Sequence, residues 1–329
     1  MKALWVTTIF FVVFSSALPF AQSESCKKLI VDNTLGSLFA EIKVSEHLLT
    51  HFKDVDSASD REIETYKKDV KNRTNSCTGK CLESVAFYFL KQGYIQEALW
   101  VLAAERPSRK AEEIITFLQK IFETEPIIFA DPAIQNSLPY TYNSVRLGYI
   151  AGIKVIIKNH KLANGYIAET WAYELDRTLG LNIVPLTVFR SAPQPISIQL
   201  FLPDSKISNI EFKDTGYWNH VEYPEIFLLD YILLQWDRHG RNSLFTPSGR
   251  LAAIDNDMVE GVYMTGAWKM IGHALDRNFD HQKFQLTKKT KDTILNLHKN
   301  EFIKRMEKVA PPEIIDFHYE RIQKVRVGL

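Results

Sequence analysis

The hydrophobic pattern changes period partway along this chain, and that change limits the fold more than any other feature. From Cys26 to about Pro126 apolar residues recur at three- and four-residue spacing, as in LESVAFYFLKQGYIQEALWVLAAE and AEEIITFLQKIFE. That spacing predicts amphipathic helices, and no long alternating run interrupts it. FLKQGYIQEALWVLAAE has the flavour of a helical repeat but lacks a second copy at a fixed period, so a repeat array is not expected. TEPIIFADPAIQNSLPYTYNS then brings Pro126, Pro132 and Pro139 and reads as a linker. Beyond it the pattern turns strand-like. SVRLGYIAGIKVIIKNH holds two short β-branched runs around Gly148 and Gly152, a hairpin-like arrangement.

The rest mixes both periods. YIAETWAYELDRTLGL puts Ala168, Trp171, Ala172, Leu175 and Leu179 on one helical face and ends at Gly180. IVPLTVFR and ISIQLFLP read as strands, and YPEIFLLDYILLQW as a buried helix with Pro224 near its start. SLFTPSGRLAAIDND is strand, turn and strand. Helix is expected from Thr287 to about Val309 and from Glu313 to about Val325, broken at Pro311-Pro312. The class is therefore α+β. The expected boundaries are a signal peptide at 1–23, an all-α N-terminal domain at 24–130, a linker at 131–143, a strand-rich unit at 144–205 and a mostly helical unit at 206–329.

A length of 329 residues suits more than one domain. The net charge of +1 gives no global field for nucleic acid, and basic runs such as Lys288-Lys289 read as solvated helix faces. The N-terminus carries Lys2, an apolar core from about Leu4 to Val13 and small residues at Ala21-Gln22-Ser23, which reads as a secretory signal cleaved after Ser23. No other run is apolar enough to predict a membrane span in the mature chain. Export places the three cysteines in an oxidising compartment. The simplest expected pairing is Cys26 with Cys77 or Cys81; three cysteines without a histidine pair make a poor zinc site. His47 and His51 lie one helical turn apart, but Leu48 stands where a zinc protease needs Glu. Asn72-Arg73-Thr74 is a glycosylation acceptor if the compartment is a eukaryotic secretory lumen.

The chemistry concentrates where DRHGRN, Asp237 to Asn242, breaks an apolar run. Asn242 follows Asp237 by five residues, and Asp255 ends the next hairpin. Carboxylate and amide oxygens converging from a loop and a strand end suit Mg²⁺ or Mn²⁺, completed by substrate phosphate. Asp237 then serves as the base that accepts a hydroxyl proton, the division of labour in phosphoryl transfer. A lysine from the GIKVIIK strand, Lys158 or Lys154, supplies a cation for nucleotide phosphates, and Glu169 on the following helix supports it. Strand parity does not separate the two lysines. The segment around NSVRLGY is a candidate phosphate cover, although it has neither GxGxxG nor a Walker pattern. Glu174 and Asp176 read as solvent-facing. Arg238 and Arg241 read equally as phosphate contacts or as partners of acidic neighbours, and Asp257 as a second acidic ligand or a surface residue.

DRHGRN followed by IDND resembles the D-R-H-x-x-N and I-D-F-G segments of the phosphatidylinositol 3- and 4-kinase superfamily. ETWAYELDRTLGLNIVP, Glu169 to Pro185, resembles the branch with secretory-pathway (Golgi casein kinase) and HipA-like kinases. The resemblance spans roughly Ser144 to Glu260. It implies a two-lobed, protein-kinase-like (atypical kinase) domain, with an N-lobe at 144–205 and a C-lobe at 206–329. Lys158 is then the phosphate-binding lysine, supported by Glu169. Asp237 is the catalytic aspartate with His239 close to the transferred phosphate. Asn242 and Asp255 hold the metal, and Gln199, Leu200, Phe201 and Leu202 form the hinge against adenine. The implied cofactor is ATP with Mg²⁺ or Mn²⁺, and the implied partner is a hydroxyl acceptor, protein ahead of lipid or sugar. The alternatives are a pseudokinase that recruits a partner through its helices, or an adenylyl-transferring relative. Asn256-Asp257 replaces Phe-Gly after Asp255.

Overall fold

A computed structural model describes residues 44, 46–104, 108–130, 144–160, 165–191, 193–211, 216–235, 237–257, 259 and 286–329. The signal sequence, Cys26 and the linker at 131–143 lie outside them. The helical first part comprises α1 (Asp60–Asn72), α2 (Lys80–Lys91), α3 (Ile95–Leu102) and α4 (Arg109–Thr124). A capping box starts α1: the Ser59 hydroxyl accepts from Glu62 N at 3.4 Å, and the Glu62 carboxylate accepts from Ser59 N at 2.9 Å. Ser108 caps α4 in the same way, accepting from Ala111 N at 3.2 Å.

Cys77 and Cys81 are bonded to each other, with Cα atoms 5.3 Å apart, which corrects the expected pairing with Cys26. The turn entering α2 brings residues four apart within disulfide reach, so no distant partner is needed. A loop this short constrains the unfolded chain little. Cys77→Ala/Cys81→Ala is expected to lose about 2 kcal/mol in urea unfolding; a loss above about twice that would mean the bridge does more than close its turn.

A five-stranded antiparallel sheet follows, β1 (Ile127–Phe129), β2 (Ser144–Ile150), β3 (Ile153–Asn159), β4 (Thr187–Arg190) and β5 (Ile196–Leu200), in the order β1-β2-β3-β5-β4. β1 falls in the stretch read as a linker, just past the helical pattern that ends at about Pro126 and inside the bound of 130 given to the all-α domain. It pairs with β2 from Ile127↔Ile150 to Phe129↔Gly148, so 131–143 connects two neighbouring strands of one sheet. Gly148 permits that approach: a Cβ there would meet Ile157 Cδ1 at 2.6 Å and Ile128 O at 3.1 Å. The stretch Ser144–Tyr149, read as a phosphate cover, is strand instead. Ala151 (φ 48°) and Gly152 (φ 80°) make the two-residue turn into β3.

α5 (Gly165–Leu179) packs on this sheet against β4 and ends at Gly180, φ 71°. Asp176, expected in solvent, is 1% exposed, and its carboxylate accepts from Ile183 N at 2.9 Å. Glu174 accepts from Gln119 of α4 at 3.3 Å. Helices of the C-terminal part, Tyr223–Leu233, Lys288–Asn296 and Lys299–Met306, also pack on it, and Arg177 pairs with Glu112 of α4, so part of its polar stripe is an interface rather than a solvated face.

The second half holds a smaller sheet, β6 (Lys206–Ile207), β7 (Ser243–Phe245) and β8 (Leu251–Ala253), with helices α6 (Ser208–Glu211), α7 (Tyr223–Leu233), α8 (Lys288–Asn296), α9 (Lys299–Met306) and α10 (Pro312–Val327). The fold is mixed α+β, with antiparallel pairing throughout its described sheets.

One apolar core runs from Val44 to Val325, and α3 stitches the parts together. Tyr94, just before it, donates to Asp204 at 2.7 Å. Gln96 accepts from Leu186 N at 2.7 Å, beside β4, while its neighbour Glu97 accepts from Ser248 in the β7–β8 turn. The Gln96 and Glu97 contacts are buried, come from adjacent residues of the first turn of α3 and reach both sheets.

His318 on α10 is fully buried beside Trp171, and neither ring nitrogen has a hydrogen-bond partner among the described residues. Burial, with help from Arg321, pulls it from 6.5 down to about 3. The unfolded chain therefore binds a proton that the native state refuses, so stability present above pH 6.5 is lost as the pH falls. The loss is about 2 kcal/mol at pH 5. His318→Leu is expected to flatten urea-derived stability between pH 6.5 and 5; an unchanged slope would assign the acid sensitivity elsewhere.

Candidate active site

β3 alternates Ile153, Val155 and Ile157 into the core with Lys154, Ile156 and Lys158 on the other face. The structure separates the two lysines that parity leaves equal. Lys158 Nζ donates to Glu169 Oε1 on α5 and to Asp255 Oδ1, 2.9 Å away at the end of the β7–β8 hairpin. Lys154 Nζ instead sits 4.0 Å from the Phe201 ring centroid. One buried ammonium thus ties together a strand, a helix and a distant hairpin.

Burial pulls the Lys158 ammonium down, but Asp255, Glu169 and Asp257 outweigh this and hold it above its ordinary range. Burial pushes the Glu169 carboxyl up; Lys158 opposes that, while Asp257 and Asp255 add to it. Three carboxylates face the Lys158 ammonium, with the Arg238 guanidinium, itself paired with Asp230, also near Asp255 and Glu169, and Glu169 Oε2 is buried without a hydrogen-bond partner among the described residues.

The loop below is tied to the same hairpin. α7 ends at Leu234 (φ 52°), and the chain then turns through Asp237–Asn242. Asn242 Nδ2 donates to Asp237 O at 2.9 Å, and Asn242 N to His239 O at 2.8 Å. Ile254 N donates to Asn242 O at 3.1 Å, and Gln235 Nε2 to Asp255 O at 2.9 Å. Asp255 itself has φ 57°, the left-handed region that a short polar side chain tolerates. His239 is exposed, its Nδ1 accepting from Arg241 N at 3.2 Å. Asp237 is half-buried. Burial raises its carboxyl above the ordinary value; His239 opposes this, and Asp255 and Asp257 reinforce it.

The residues expected to form the hinge lie at the end of β5 and just beyond it. Gln199 Nε2 donates to Thr187 Oγ1 at 3.0 Å, Leu200 N to Leu186 O at 2.9 Å, and Phe201 N to Lys154 O at 3.2 Å. The two amides and the Gln199 side chain are thus engaged within the sheet and are not adenine donors in this arrangement.

Other residues at the site carried little signal. His160 lies between Ser197 Oγ (2.9 Å, from Nε2) and Asp257 Oδ2 (3.3 Å, from Nδ1), placing Asp257 inside the cluster and off the surface. Arg238 turns inward: Nε and Nη2 donate to the Asp230 carboxylate at 3.0 Å, and Nη1 donates to Ile254 O at 2.7 Å. It therefore partners an acidic neighbour. Nothing in DRHGRN says which guanidinium points in.

No group of three or more His, Cys, Asp or Glu side chains among the described residues is placed to hold a metal alone. The donor set nevertheless suits Mg²⁺ or Mn²⁺ shared with phosphate, since such ions take few protein oxygens. Asp255 offers a carboxylate, and Asn242, its nitrogen spent on Asp237 O, keeps Oδ1 as an acceptor.

No protein-family model and no curated protein matches the chain. Solved structures similar to the chain include two kinases. One is a Helicobacter pylori proinflammatory kinase, CtkA, at 13% identity and TM-score 0.42, covering 63% of this chain and 94% of that one. The other is a Golgi casein kinase at 12% identity and TM-score 0.42, covering 84% and 91%. These matches do not single out the phosphatidylinositol-kinase superfamily, and the functional reading rests on the site's own residues.

Proposed function

We propose that this chain is an exported kinase that transfers the γ-phosphate of ATP, with Mg²⁺ or Mn²⁺, to a hydroxyl acceptor, a protein ahead of a lipid or sugar. The observation that carries this is the double engagement of Lys158 by Glu169 and Asp255. A lysine held by a helix carboxylate, beside a second carboxylate whose hairpin is tied to a loop with its own Asp and Asn, is the positioning device of phosphoryl transfer. Lys158 offers its ammonium to nucleotide phosphates. Asp255 and Asn242 would hold the ion, which when bound neutralises charge on the phosphate oxygens. Asp237, its proton affinity raised by burial, takes the acceptor's hydroxyl proton. Export rests on the N-terminal signal pattern. No helix of the described residues is long and apolar enough to cross a membrane.

The test is incubation of the mature protein with Mn²⁺, ATP and a panel of protein, inositol-lipid and sugar acceptors, read by mass spectrometry. A gain of about 80 Da on an acceptor supports the reading, and a gain of about 329 Da indicates adenylyl transfer instead. Nucleotide binding with no transfer would make it a pseudokinase, and no nucleotide binding would end the proposal.

The pH dependence has a definite sign. Asp237 must be ionised to act as base, and its carboxyl is shifted upward. The acid limb of kcat/KM is therefore expected to fall off above the ordinary aspartate value of about 3.9. An acid limb at or below that value would remove Asp237 from the proton transfer.

A further inference from the structure

Arg238 makes more polar contacts than any catalytic-loop residue needs for solubility. A guanidinium has five N–H donors, and here every nitrogen is engaged. Nε and Nη2 grip the Asp230 carboxylate on α7. Nη2 also donates to Asn256 Oδ1, and Nη1 donates to the carbonyls of Asn242 and Ile254. Asn256 is fully buried, and its own amide donates to Ala253 O at 3.3 Å. Helix, loop and hairpin end therefore meet on one buried side chain, and two of its acceptors are the carbonyl of Asn242 and the carbonyl one residue before Asp255.

We propose that Arg238 is a positioning residue that holds Asn242 and Asp255 at a fixed separation, and that Asn256, anchored by it, keeps the Asp255 turn in one state without any modification downstream. The proposal rests on the kinase reading above. Where kinases place Phe after the metal-binding Asp, packing of that ring sets active and inactive states. An aromatic ring can leave its pocket into another apolar one. Asn256 can leave only by abandoning a buried hydrogen bond to a charged donor, which is among the stronger contacts a side chain makes. The Asp255 turn, already at φ 57°, is thus pinned from both sides.

Two readouts test this in the full mature chain. The first needs no activity: hydrogen exchange at the Ile254 amide, which is bonded to Asn242 O. Asn256→Ala is expected to speed its exchange at least tenfold while distant core amides are unchanged. Arg238→Gln alone leaves Asp230 buried without its partner and is expected to destabilise the fold; Asp230→Asn/Arg238→Gln is the neutral replacement, expected to speed exchange at least as much. The second readout is Mn²⁺ affinity in the presence of a non-hydrolysable ATP analogue, followed by electron paramagnetic resonance. Asn256→Ala is expected to weaken it tenfold or more, with a smaller change in nucleotide binding without metal. Unchanged Ile254 exchange would overturn the lock. Faster exchange with unchanged Mn²⁺ affinity would overturn its role in positioning the ligands. A wild-type protein that binds no Mn²⁺–nucleotide sinks the kinase reading and the positioning role with it, while Ile254 exchange still decides the lock.

Discussion

Asp237→Asn is expected to lower kcat by about 10² to 10⁴-fold, the usual worth of a positioned general base. Nucleotide affinity should stay within a few-fold of wild type, because Asp237 accepts no contact from Lys158 or Asp255 and holds Asn242 only through its backbone carbonyl. The substitution keeps that carbonyl and the side chain's shape, so the loop survives and only the proton acceptor is lost. Stability should rise slightly, since the carboxyl is disfavoured by burial in the native state. The measurement pairs steady-state transfer with nucleotide-induced thermal shift. A kcat within a few-fold of wild type would mean that Asp237 is a loop residue and no base.

Lys158→Met should have a large effect on folding. Removing the ammonium leaves Glu169, 1% exposed, and Asp255 without their partner. Breaking a buried pair in this way costs about 3 to 5 kcal/mol. Lys158→Met/Glu169→Gln removes both charges and should regain most of that stability, yet both variants should lack transfer. The single variant's deficit should also depend on pH. Without Lys158 the Glu169 carboxyl, already pushed up by burial, rises further. The native state then binds a proton that the unfolded state has released, so stability falls as pH rises and returns as pH drops toward 5. Urea unfolding of both variants at pH 5 and 8 reads this. Transfer activity in the stabilised double variant would contradict the assigned role of Lys158.

Much of this was legible in the sequence because it depends on local pattern. The helix carrying Glu169 follows from its apolar face and Gly180, and the hairpin ending at Asp255 from its turn residues. Strand parity could not tell Lys158 from Lys154, since both lie on one face of β3, and the family resemblance alone favoured Lys158. Only the placement of α5 and the second hairpin, which are long-range contacts, decides between them. β1 was missed because three residues are too few to establish a period against the helix before them. Asp176 was misplaced for a similar reason. Its carboxylate serves Ile183 N across the turn that ends α5, and a charged residue on a helix gives no sign that the following loop folds back onto it. The Cys77–Cys81 bridge depends on the local turn, while the expected pairing assumed that disulfides join distant segments. Arg238 lay in plain view, but inward and outward arginines read alike.

The central claim is that Lys158, Asn242 and Asp255 converge on one metal–phosphate site above Asp237. A crystal structure of the mature protein with Mn²⁺ and a non-hydrolysable ATP analogue tests it most directly. The account predicts Mn²⁺ bound by the Asp255 carboxylate and Asn242 Oδ1, with the Lys158 ammonium on nucleotide phosphate. Nucleotide bound away from Lys158, or an ion that touches neither Asp255 nor Asn242, would contradict it.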